Sequence, residues 1–145
     1  MDLLKDLKIT KALAYASGTA TREGAILDMS GYEGVLMIVT CATLASSAVG
    51  DIHAEQDSAV GGGTMADLLG TAIAIADDDD DQIFVLDICK PLERYVRVVV
   101  TKNGANAQAE SAIYIQYGPG NKPQVNTVAD LVTVETHISP IEGTK

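Results

Sequence analysis

Eight short β-prone runs, each closed by a turn signal, fill residues 8–117, and no long amphipathic helical repeat comes between them. A chain patterned this way has few solutions open to it. Strands at regular short spacing, without crossover helices, pair antiparallel and pack as two sheets. The expected fold is therefore all-β, an eight-stranded antiparallel β-sandwich over residues 1–117, followed by an extended C-terminal arm over 118–145.

The runs are 9–16, 25–29, 35–41, 51–58, 71–76, 82–89, 94–102 and 108–117. The third is apolar almost without a break, which suits a central strand covered on both faces. The fourth alternates, with Ile52, Ala54 and Gln56 on one side and Asp51, His53, Glu55 and Asp57 on the other, so it has one wet face. After Gly61-Gly62-Gly63, a flexible break, Thr64 is placed to N-cap a single helical turn ended by Gly70. Asn103-Gly104 between the last two runs is a hairpin signal, because both residues tolerate positive φ. In a jelly roll, runs one, eight, three and six form one sheet and runs two, seven, four and five the other. An immunoglobulin-like sandwich or an up-and-down barrel would use the same strands.

At 145 residues a single domain buries roughly 68–70% of its unfolded surface, enough for a self-sufficient core. The aromatics are Phe84 and five tyrosines, with no tryptophan, so Val, Ile, Leu and Ala must fill the space between the sheets. Twenty acidic against ten basic side chains give a net charge of −10. That balance repels phosphate backbones and anionic lipid, so neither nucleic acid nor membrane is an expected partner. No apolar stretch approaches the eighteen or so residues of a membrane span, and the first residues lack a secretory pattern, so synthesis in the cytoplasm is expected. Cys41 and Cys89, far apart and outside any CxxC, read as buried free thiols.

Chemistry-bearing motifs are sparse. Asp77, Asp79 and Asp81 occupy alternate positions of a calcium loop, but Gln82 stands where glycine is needed and Ile88 where the bidentate glutamate is needed. The five-aspartate run reads as a solvated connection that discourages edge pairing, with a Ca²⁺ site on Asp77, Asp79 and Asp81 as the alternative. His53 and His137 lack clustered Cys or His partners, so no zinc site is expected and His53 reads as a surface strand residue. No GxSxG element places a nucleophile, and the triple glycine lacks the Lys-Ser/Thr of a phosphate loop. Catalytic residues and cofactors are therefore not expected. Arg94 and Arg97, three apart on a strand, face opposite ways, and a buried arginine there would need a carboxylate such as Asp87 or Glu110.

The arm holds Pro119, Pro123 and Pro140, which favour extended chain. Between them Val125, Val128, Leu131, Val132 and Val134 are too apolar for a disordered linker. These five are the expected partner-binding residues, buried either on their own sandwich or, as favoured here, on a neighbouring subunit.

In 71–77 (TAIAIAD), 91–97 (PLERYVR), 115–119 (IQYGP) with Lys122-Pro123, and 137–144 (HISPIEGT), the chain resembles the jelly-roll head-decoration, or cement, proteins of tailed bacteriophages. The resemblance implies a non-enzymatic structural protein of the virion. It would bind the outer capsid surface, bridge adjacent major capsid subunits and self-associate as a homodimer or a trimer. A carbohydrate-binding or adhesion module on a virion or cell surface is the alternative, weakened by the lack of tryptophan.

Overall fold

The structure is a computed structural model that describes residues 3–61, 63–139 and 141–143. Gly62 and Pro140, both named above, lie outside them. Ten strands follow in chain order: β1 (Lys8–Gly18), β2 (Arg22–Glu23), β3 (Leu27–Asp28), β4 (Gly34–Leu44), β5 (Gly50–Asp57), β6 (Ala66–Asp67), β7 (Ile73–Ile75), β8 (Ile83–Cys89), β9 (Tyr95–Lys102) and β10 (Gln108–Tyr117). The first sheet has the order β1-β10-β4-β8, and the second runs β2-β9-β5-β6, with β3 also on β9 and β7 also on β5. All pairings are antiparallel. Translated into the eight runs, the sheets read 1-8-3-6 and 2-7-4-5, the order set out above for a jelly roll.

The two sheets close over one core because the inward positions of both are small, branched or flexible. Val35, Met37, Val39 and Tyr114 from the first sheet meet Ile52, Ala54, Val96, Val98 and Val100 from the second. Aliphatic packing of this kind stabilises by about 25 cal/mol per Å² of apolar surface removed from water. β1, an edge strand, carries register shifts after Lys11 and after Leu13. Such bulges twist an edge away from further strand pairing.

Several local expectations change. The segment after Gly63 is not a helical turn: Ala66 and Asp67 pair with Gln56 and Glu55 of β5, and the Thr64 hydroxyl donates to Asp57 at 2.8 Å. One helical turn fixes several residues for a single hydrogen bond, so an available strand edge wins. Asn103-Gly104 does not make a hairpin either, since β9 and β10 lie in different sheets. Asn103 Oδ1 instead accepts from Ala105 and Asn106, an Asx turn that lets the chain cross the sandwich, with Gly104 at φ +78°. The face of β4 opposite the core is not sealed, because Leu36 and Ile38 stay half-exposed.

Both cysteines are free, but only Cys41 is buried; Cys89 ends an edge strand and is exposed. Burial, with the Glu110 charge second, pushes the Cys41 thiol up to about 11. Since the thiolate is the reactive form, a maleimide at neutral pH should label one thiol per native chain, Cys89, and two in denaturant. Mass spectrometry of C89S should then find no rapid native label; prompt labelling of Cys41 would mean the sandwich opens there.

Candidate functional site

The aspartate connection is put to structural use. Asp77 Oδ2 accepts from the Ser47 amide and Asp80 Oδ1 from the Leu44 amide, both at 2.6 Å, while Asp79 Oδ2 accepts from Ala76 at 2.8 Å. Asp81 takes a left-handed conformation at φ +61°. The carboxylates thus address separate backbone donors and clip the β4–β5 loop. Among the described residues, the ligand atoms that converge are those of His53, Glu55 and Asp67 instead.

The arginines find carboxylates other than those expected. Arg94 makes two bonds to Asp28, at 2.9 and 2.8 Å, and this pairing holds the Asp28 carboxyl below its ordinary range. Arg97, on the solvent side of β9, binds Glu55 and Glu23. Asp87 instead accepts the Tyr117 hydroxyl at 2.7 Å, and Glu110 is held inside the sandwich by Lys102 and Arg22. Lys102 shares the inward side of β9 with Val96, Val98 and Val100, so this ion pair joins the two sheets from within.

The arm divides into a tethered part and a projecting part. Asn126 Oδ1 accepts the Ile9 amide at 2.7 Å, and its Nδ2 donates to Leu7 at 3.0 Å. Lys8 Nζ reaches the Val125 carbonyl at 2.7 Å and Asp130 at 2.6 Å; that contact, with the Thr127 hydroxyl, lowers the Asp130 pKa. Lys122 pairs with Asp6, and the Tyr32 hydroxyl donates to Gln124. These bonds fix residues 122–130 along the start of β1 while leaving the apolar side chains outward. Val125, Val128 and Leu131 are exposed, Val128 by 73% and Leu131 by 70%, whereas Val132 and Val134 are half-buried. Beyond them Ile138 and Ile141 are 97% and 95% exposed. Folding on its own sandwich therefore leaves most of the arm's apolar surface in water.

A second apolar surface lies on the outer side of the first sheet. Strand register places Ile9, Ile115 and Leu36 in one cross-strand row, and Ile113, Ile38 and Val85 in the next. Ile83 continues the patch opposite Thr40, and none of the seven is buried. The pattern was present in the sequence as the unbroken apolar character of 35–41, but that run also fits a strand with two covered faces. Of the seven, Ile83, Val85 and Ile113 are exposed and the others half-buried, a contiguous apolar face of the kind suited to docking.

No family model and no curated protein matches the chain. Among solved structures it is similar to PBSX exported protein XepA, with a TM-score of 0.54 and 16% sequence identity. The match covers 96% of this chain and 45% of that one, so this chain spans less than half of its neighbour's length. At that identity the likeness establishes a shared fold.

Proposed function

We propose that the protein is a structural component of a phage particle, a decoration protein that cements the head from outside. In this reading it binds the outer capsid surface, bridges adjacent major capsid subunits, self-associates as a homodimer or trimer, and catalyses nothing. We also read the strand order as that of a jelly roll. The observation that carries the proposal is the arm, whose Val125, Val128, Leu131 and Ile138 face water while its stem is hydrogen-bonded to β1. A stem held in place and an apolar strip left exposed suit an element buried on a neighbouring chain. The fold likeness to a phage PBSX exported protein supports a phage setting. The acidic surface suits a position away from packaged DNA.

Co-sedimentation with undecorated shells tests the reading. The full chain should pellet with shells and remain in solution with unassembled capsid protein. A chain ending at Leu131 keeps the Asn126 and Asp130 tethers and should retain its β signal in circular dichroism. It should nevertheless bind shells at least tenfold more weakly, because burying even one aliphatic side chain contributes about 1.5–3 kcal/mol and tenfold corresponds to about 1.4. Full-length protein that stays in the supernatant at every salt concentration would end the cement reading, and undiminished binding by the shortened chain would remove residues 132–145, Ile138 and Ile141 among them, from the contact.

A further inference from the structure

We propose that His53, Glu55 and Asp67 form a binding site for a divalent transition-metal ion, with Zn²⁺ the best chemical match. His53 and Glu55 are alternate residues of β5 and share its solvent side, since Ile52 and Ala54 point into the core. β6 lies beside β5 with Asp67 directly opposite Glu55, which brings the third side chain to the same place. One ligand atom from each residue falls within 4.8 Å of the other two. His53 Nε2 is 3.4 Å from Asp67 Oδ1 and 4.0 Å from Glu55 Oε1. Tetrahedral zinc with bonds of about 2.1 Å places its ligand atoms about 3.4 Å apart. The His53–Asp67 separation already has that value, the His53–Glu55 separation needs a small closure, and the two carboxylates lie within 4.8 Å of each other.

The surrounding bonds orient these ligands as metal sites do. Asp51 Oδ1 lies 2.7 Å from His53 Nδ1. When Nδ1 carries the proton and donates it to Asp51, the lone pair of Nε2 is directed at the two carboxylates, the arrangement found behind metal-bound histidines. Arg97 holds Glu55 Oε2 and leaves Oε1 facing His53. His53 and Glu55 are largely buried, whereas Asp67 is exposed on a short strand that a metal bond would pin to β5. A cavity of about 590 Å³, lined in part by His53, Asp67, Leu68 and Gly70, opens beside the group. It has room for a water molecule or a partner's side chain at the fourth position. Nitrogen with two carboxylates favours Zn²⁺ over Ca²⁺ or Mg²⁺, which take six or more oxygens.

The competing account is an imidazolium paired with the same carboxylates, with no metal. Isothermal titration calorimetry of the chelator-treated full chain with ZnCl₂ separates the two. The expected result is one Zn²⁺ per chain, at least 100-fold weaker binding in H53Q and D67N, and roughly 10–100-fold weaker binding in D51N. At a 100-fold excess over Kd, Zn²⁺ should raise the melting temperature by roughly 5–10 °C, and CaCl₂ or MgCl₂ should not. D67N alters an exposed side chain, so its native circular dichroism guards against a loss that merely reports unfolding. Absence of Zn²⁺ binding, or binding that H53Q and D67N leave unchanged, overturns the proposal.

Discussion

Replacing Lys102 with methionine is expected to destabilise the protein by about 3–5 kcal/mol, a large part of the 5–15 kcal/mol typical of a domain. The Lys102 side chain is fully enclosed and that of Glu110 is 1% exposed. The ammonium lies 3.0 Å from Glu110 Oε1, to which it donates, and 2.9 Å from Oε2, a contact outside hydrogen-bond geometry that acts through charge. It also donates to the carbonyls of Gly18 and Gln108, at 3.2 and 3.1 Å. Methionine fills similar space but leaves a buried carboxylate with Arg22, at 2.9 Å from Oε1, as its remaining cation. Urea denaturation should show the loss as a lower midpoint at unchanged slope. The double variant K102M/E110L should recover much of it, because a buried ion pair replaced by apolar side chains is often neutral. A single variant costing under about 1 kcal/mol would mean that water reaches the pair.

Lys102 also shows where the sequence could be read further. Alternation from Val96 through Val98 and Val100 puts position 102 inward, and the same count from Tyr114 back to Ala112 puts Glu110 inward on β10. Each charge alone looks like a strand that has reached solvent. Only the packing of the β9 sheet over the β10 sheet makes them partners, and that is a tertiary fact. The strands themselves were legible because Gly, Asn and Asp clusters bound them, and run eight coincides with β10. β2 was not, since Arg22-Glu23 has no β-prone residue and is a strand only because β9 offers it an edge.

The same distinction applies to the sites. Alternation set His53 and Glu55 on one face, but Asp67 reached them only because 66–67 pairs with β5, against the local capping signal at Thr64. The five arm residues were recognisable as too apolar for a linker, and three of them are exposed. Their tether was not recognisable, because Asn126 and Lys8 carry no pattern that joins residues so distant in sequence. The outer patch on the first sheet required register: Ile113, Ile38 and Val85 become a row only once β10, β4 and β8 are aligned.

Tyr114 is the second position where one substitution should cost several kcal/mol. It is the largest fully buried side chain, and it reaches from β10 across the core to the opposite sheet. Its hydroxyl accepts the Val98 amide and donates to the Ala25 carbonyl, both at 2.9 Å. Burial pushes the phenol pKa up, so the hydroxyl remains a proton donor at any ordinary pH. Gly24 makes room for it, since a Cβ there would stand 2.5 Å from the hydroxyl oxygen. Tyr114→Ala should cost about 3–5 kcal/mol, for lost burial and the cavity that remains. Tyr114→Phe keeps the ring but leaves the Val98 amide without that acceptor, at about 1–3 kcal/mol. Gly24→Ala should weaken the wild type yet weaken Tyr114→Phe less, since the phenylalanine ring ends short of the new methyl group. A double-mutant cycle measured by urea denaturation reads that difference directly. Strict additivity of the two substitutions would show that the hydroxyl does not press on Gly24 and that this bridge between the sheets is looser than its geometry implies.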